Sequence, residues 1–345
     1  MMDLEMDRYF ETCYERRPHP FAMPLGNKAH WISWRADFIR TLLGDLRGFP
    51  QQYGPLESQT HDEAQRDGYR QILVSYSGED GMRIPAYLLV PDSAQEQMPA
   101  VVCVAGHGAG MTEIAGLTPE GEPRAIGEGY QKDFAVALCK RGFVVLVPEM
   151  LGFGLRRLKA DIEKGPDECS CYRMSTNLLM MGKTMAGLRA RDVMRSLDYL
   201  ETLPFVDAAR IGSMGISGGG TTLMYAAAID GRLRANVISC SGCTFRHSIL
   251  SVYHCIDNFV PDLYTRGEMY DILGLLAPRP LMLEAGRQDD LFPLEGVQTC
   301  FDQLARAYSL LGARDKLDID IFDAGHSISG AKSYDFLGKW LRVDE

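Results

Sequence analysis

Three places in this 345-residue chain hold residue types that, acting together, can transfer an acyl group. The first is Gly215-Ile-Ser-Gly-Gly219, a serine with a glycine two residues to either side. A serine hydroxyl is a poor nucleophile near neutral pH and needs a base within hydrogen-bond reach, oriented in turn by a third group. Residues 210–216 are rich in apolar and small side chains and 221–229 have helical composition, so the serine falls at a strand-to-helix turn. At such a turn a G-x-S-x-G segment holds its serine in a strained backbone conformation, and the flanking glycines let strand and helix approach closely. Ser217 is therefore the candidate nucleophile.

The second and third places supply a base and an acid. Of seven histidines, His326 alone follows an acid in the right place: Leu317-Asp-Ile-Asp-Ile-Phe322 alternates as a strand does, and Asp-Ala-Gly then delivers the histidine to the strand's carboxyl end. The preceding strand, 280–284, leads into Arg287-Gln-Asp-Asp-Leu-Phe-Pro293, where Asp289 and Asp290 compete. Successive residues in a turn point different ways. One aspartate can face His326 while the other is solvated or caps the helix that begins after Pro293.

The elements that must carry these residues follow from periodicity. Trp31, Trp34, Phe38, Leu42 and Leu46 recur at three- and four-residue steps, predicting a helix within an N-terminal extension over 1–60, its stripe against the main body or walling a pocket. Residues 69–76 and 83–90 read as a β-hairpin, with Pro85 suggesting an edge strand. From Pro99 strands and helices alternate: strands at 101–105, 143–147, 210–216, 235–240, 280–284 and 317–322, helices at 130–140, 184–203, 221–229, 294–311 and 334–341. This predicts a mostly parallel, eight-stranded α/β sheet with helices on both faces, in a domain over 61–345. Ligand sites in such sheets lie beyond the carboxyl ends of the strands. Three long connections, 106–129, 149–183 and 242–271, leave that edge and are expected to cap the site.

Composition narrows the rest. At 46% hydrophobic the chain can bury a large core, and a net charge of −10 without like-charge blocks argues against a nucleic-acid or anionic-membrane partner. The first residues carry acids where an export signal needs positive charge, so a cytoplasmic location and nine reduced cysteines are expected. Gly182-Lys183-Thr184 resembles the end of a phosphate loop, but Asn177 stands at the opening glycine position. No cofactor is expected, nor, for want of convincing zinc spacing, a metal. The partner expected is a small-molecule ester; a homo-oligomer stays open.

The segments G-I-S-G-G, G-R-Q-D-D-L-F-P and A-G-H-S together resemble the α/β-hydrolase fold, within it the dienelactone-hydrolase-like and acetyl-xylan-esterase-like branch, over about residues 70–345. The resemblance implies a serine carboxylic ester hydrolase with the chain order Ser, Asp, His. In the family's G-x-x-D-x-x-x-P turn the acid falls on Asp289. The oxyanion hole would combine the Gly218 N–H with a donor from Ala105-Gly-His-Gly-Ala-Gly110. Counted from Pro99 that donor is His107, and in the other register Ala109. His254-Cys-Ile-Asp-Asn-Phe-Val-Pro261 also looks like an esterase block, without an assigned role. A serine exopeptidase of the prolyl-oligopeptidase type ranks second, although residues 1–60 cannot supply the propeller such enzymes often carry. A ligand-binding protein on a hydrolase fold ranks third.

Overall fold

Strands that feed helices on alternate sides of a sheet must be apolar on both faces, and those of this chain are. In the computed structural model, which describes residues 5–49, 53–79, 81–94, 96–166 and 168–342, nine strands form one sheet. They are β1 (Gln59–Arg66), β2 (Tyr69–Ser77), β3 (Arg83–Pro91), β4 (Met98–Val104), β5 (Val144–Pro148), β6 (Val206–Ile216), β7 (Leu233–Ser239), β8 (Leu281–Gly286) and β9 (Leu317–Phe322), in the spatial order β1-β2-β3-β5-β4-β6-β7-β8-β9. The first three pair antiparallel and the rest run parallel. Period-two alternation splits the core: Val102, Val104, Val144 and Leu146 face one layer, and Val101, Cys103, Val145 and Val147 the other.

The sheet has one strand more than the eight expected. β1 is Gln-Thr-His-Asp-Glu-Ala-Gln-Arg, nearly all exposed, so no apolar alternation announces it. Its backbone pairing with β2 forms it, and its charges guard the open edge of the sheet. β3 in turn is interior, which corrects the edge reading of Pro85. The Pro85 carbonyl accepts from the Glu149 N–H at 2.9 Å, so the missing donor of its ring points past the end of β5 and costs no rung against β2.

Among the described residues eleven α-helices accompany the sheet: α1 (Met6–Arg16), α2 (Trp31–Leu46), α3 (Phe134–Cys139), α4 (Lys159–Ile162), α5 (Cys171–Met180), α6 (Met185–Leu200), α7 (Gly218–Ile229), α8 (Leu263–Arg266), α9 (Met269–Gly274), α10 (Leu294–Leu311) and α11 (Ser333–Leu341). The stripe of α2 is buried in the same layer as α6 and α7, and none of its aromatics lines the cavity described below, so the stripe is core and does not wall that cavity; Trp31 borders a separate recess shared with Leu276–Arg279. α3 begins four residues later than expected because Asp133 is tied elsewhere. Its buried carboxylate takes the Arg124 guanidinium at 2.7 Å and the Gly127 N–H at 2.6 Å, and its own backbone is left-handed. The second and third long connections are not structureless: they contain α4 and α5, and α8 and α9. Among the described residues no helix is long and apolar enough to cross a membrane.

Candidate active site

Ser217 sits where β6 turns into α7, with φ 57° and ψ −126°, a conformation costly for any residue with a Cβ. Its neighbours explain how the turn closes. A Cβ on Gly215 would lie 2.9 Å from the carbonyl carbon of Gly219, and one on Gly219 would lie 2.2 Å from the Val104 carbonyl oxygen, so neither position admits a side chain. The Ser217 N–H donates to the Ser239 carbonyl at 3.0 Å, and its carbonyl accepts from Thr221 at 2.9 Å, which anchors the turn to both strand and helix. Ser217 is buried, 6% exposed, and lines a cavity of about 330 Å3 beyond the carboxyl ends of the strands.

Three of the seven histidines, His107, His254 and His326, line that cavity with Ser217 and Gly218. His326 Nδ1 lies 2.8 Å from Asp289 Oδ2. The other oxygen of Asp289 accepts from the backbone N–H groups of Leu291 at 2.9 Å and Phe292 at 3.1 Å. Burial alone would raise the pKa of this carboxyl, but the hydrogen bond and charge of His326 with those two N–H groups outweigh it and hold Asp289 below its ordinary value. Asp290, next in the chain, is exposed. The His326 ring stacks between Tyr130 at 5.5 Å and Phe292 at 6.0 Å between centroids, which limits its rotation.

The loop after β4 passes over the start of α7. A Cβ on Gly218 would lie 2.8 Å from the His107 ring, and one on Gly106 would lie 3.1 Å from the Ser217 Cβ. The Ala109 N–H donates to Glu113 Oε2 at 3.0 Å, whereas no hydrogen bond takes up the His107 or Gly218 N–H among the described residues. Tyr130 fixes this loop by donating its hydroxyl to the His107 carbonyl at 2.6 Å, and its own carbonyl accepts from Ile328 and Ser327, so one aromatic residue ties the His107 loop to the His326 loop. Sequence reasoning gave Tyr130 no role.

Behind the cavity lies a charged network that was equally invisible in the sequence. His107 Nε2 meets Asp257 Oδ2 at 3.0 Å, and the same oxygen accepts from Arg189 Nη1 at 2.6 Å. Arg189 also donates to the Leu151 carbonyl and, at 3.3 Å, to Cys171 Sγ. Burial opposes the imidazolium of His107, but hydrogen bonds with Asp257 and Cys255 prevail and push its pKa up to about 9, so the ring is cationic at neutral pH. Asp257 is pulled far below the carboxylate range despite its burial, chiefly by Arg189. The block 254–261 thus acquires positions: His254, Cys255 and Asn258 line the cavity, and Asp257 holds His107 from behind. Of the three long connections, the first contributes His107 and the third these residues together with Tyr253. The second lines none of the cavity and instead buttresses it through Phe153, 5.1 Å from the His107 ring, and Leu151.

A family model for abhydrolases matches residues 15–326, with Ser217, Asp289 and His326 all inside the match. The chain belongs to the abhydrolase family. YtaP of Bacillus subtilis (strain 168), provisionally named a hydrolase, is 30% identical over 311 residues, covering 87% of this chain and 96% of the relative. Two solved structures show that the fold is that of the α/β hydrolases. One, provisionally named an acetyl xylan esterase, from Bacteroides fragilis NCTC 9343, has a TM-score of 0.76 at 19% identity and covers 94% of this chain and 83% of its own. The other, a glucuronoyl esterase from Solibacter usitatus, has a TM-score of 0.67 at 15% identity, covering 93% and 96%. The match takes in the last two residues of α1, all of α2 and the whole of the sheet.

Proposed function

We propose that this abhydrolase is a serine carboxylic ester hydrolase working through an acyl-enzyme, with a preference for short acyl groups. The observation that carries the reading is the meeting, on one cavity, of a serine in strained backbone and a histidine hydrogen-bonded to a buried carboxylate. In this mechanism Ser217 Oγ attacks the ester carbonyl and His326 Nε2 takes its proton. Asp289 keeps the Nδ1 proton of His326 in place and balances the imidazolium, which then protonates the leaving alcohol. A water activated by the same histidine releases the acid. The N–H groups of Gly218 and His107 receive the oxyanion, a register favoured over Ala109 because the Ala109 N–H is already engaged by Glu113. The cationic His107 ring beside Gly218 adds positive potential where the negative charge develops.

The ester, rather than amide, reading draws on fold neighbours named acetyl xylan esterase, glucuronoyl esterase and methylesterase. The short-acyl reading draws on the modest size of the cavity and its ring-walled sides. The experiment is a fluorophosphonate probe followed by nitrophenyl esters and aminoacyl amides. Ser217→Ala is expected to abolish labelling and to lower ester turnover by roughly four to six orders of magnitude with the fold intact. A Ser217→Ala protein that remains active and free of contaminating esterase sinks the mechanism. Faster cleavage of aminoacyl amides than of any ester favours the peptidase reading instead.

A further inference from the structure

Three thiols gather at and behind one wall of the cavity, and the hydrolytic mechanism uses none of them. Cys255 faces the cavity and is partly exposed, Cys171 at the start of α5 is fully buried behind it, and Cys169 is exposed two residues earlier. The sulfurs of Cys171 and Cys255, a ring nitrogen of His107 and an oxygen of Asp257 all lie within 4.8 Å of one another. The Arg189 guanidinium touches both Asp257 and Cys171, so the negative charge here already has its cation. We propose that Cys255 and Cys171 are a redox pair, closing to a disulfide under a peroxide oxidant and switching the adjacent hydrolytic site off.

The surroundings suit the two thiols to different roles. The Cys171 thiol and His107 pull the Cys255 sulfur well below the usual thiol value even though burial opposes this, which gives the cavity-facing sulfur thiolate character. Cys171 is pushed the other way, by Cys169, Cys255 and its burial, and keeps its proton. The Cys255 thiolate attacks one oxygen of hydrogen peroxide, the O–O bond breaks, and hydroxide departs, leaving a sulfenic acid. The Cys171 sulfur then attacks the Cys255 sulfur and the S–O bond breaks. The Cys171 thiol proton goes to this departing hydroxide, and the hydroxide from the first step takes up the proton that Cys255 released on ionising, so two thiols and one peroxide give one disulfide and two waters. Closing sulfurs that stand within 4.8 Å to the roughly 2.05 Å of a disulfide draws the Cys255–Asp257 segment toward α5. Asp257 moves with that segment, and His107 loses the partner that holds it against Gly218.

The pairing holds whether or not the substrate is an ester, whereas the effect on turnover rests on the ester-hydrolase reading, so the two are read separately. Fully reduced protein is treated with stoichiometric hydrogen peroxide, free thiols are alkylated, and the protein is digested without reductant for mass spectrometry. The expected product is a Cys171–Cys255 crosslinked peptide, with nitrophenyl-ester turnover reduced by at least about tenfold and recovered with dithiothreitol. Each variant is measured against its own reduced form. Cys255→Ser should give no crosslink and lose the peroxide sensitivity, and it samples a partly exposed position should Cys171→Ser fail to fold. Cys171→Ser should give no crosslink, and under excess peroxide Cys255 should take a second oxygen and advance to the sulfinic acid, which dithiothreitol does not reverse. Intact thiols after peroxide, a crosslink through Cys169, or equal inactivation of Cys255→Ser would overturn the pair. A crosslink that leaves the turnover of an active esterase unchanged would overturn the switch.

Discussion

Asp289 and Asp290 are adjacent and chemically identical, yet only one is built into the site. Asp289 spends one oxygen on two backbone N–H groups and the other on His326, so it can neither rotate nor leave. Exchange for asparagine replaces an acceptor with a donor facing Nδ1 and favours the wrong tautomer of the base. Asp289→Asn is therefore expected to lower kcat/KM on a nitrophenyl ester by about four orders of magnitude, against about tenfold or less for Asp290→Asn. Circular dichroism on both variants separates loss of chemistry from loss of fold, and equal losses or the reverse order would move the acid to Asp290. The sequence narrowed the acid to this pair but left them equivalent, since side-chain direction in a turn depends on the backbone torsions and not on residue type. The resemblance to a G-x-x-D-x-x-x-P turn chose between them. No comparable signal marked Arg189 or Tyr130, whose partners Asp257 and His107 lie 68 and 23 residues away in the chain.

Elements were legible in proportion to how far their own side chains form them. β9 and α10 fall where periodicity put them: an 18-residue amphipathic helix carries its own burial pattern, and alternation bounds β9 even though Asp320 is buried there while Ile319 and Ile321 are half-buried. β1 was missed because backbone pairing alone forms it, and α8 and α9 because four- and six-residue helices are shorter than the window in which a 3.6-residue period emerges. The stripe of α2 was recognised as apolar, but its aromatics pack away from the cavity rather than around it. Phe38 is fully buried there, stacked on Phe21 at 4.8 Å and touching Trp34. Phe38→Ala removes a whole ring from a region closed on all sides, so it is expected to destabilise the protein by about 3–5 kcal/mol. Urea denaturation would measure this, and the folded fraction should retain its ester turnover. A Phe38→Ala protein of unchanged stability but altered acyl preference would instead make α2 a pocket wall.

At the scale of the molecule, the sheet brings six separate chain segments to one edge, and the connections leaving that edge decide what can enter. Tyr130, Phe292 and the His326 imidazole wall the cavity with rings, and the third long connection adds His254, whose ring meets Phe292 edge-on at 5.1 Å, with Cys255 and Asn258. A space of about 330 Å3 is near the lower end for ligand pockets, and it has to accommodate the reacting carbonyl together with whatever lies on both sides of it. An acyl chain that lengthens within such walls soon meets them. Nitrophenyl acetate or butyrate is thus expected to show a higher kcat/KM than the octanoate or longer esters. An open apolar cleft gives the opposite slope, because each added methylene could improve transition-state binding by up to about 0.8 kcal/mol. The exposed Tyr253 stands at the rim of the cavity. Measuring the acyl series at a fixed alcohol isolates the wall from the rim. A series that climbs steadily through the dodecanoate would rule out the short-acyl reading and indicate a lipase-like groove in place of this short cavity.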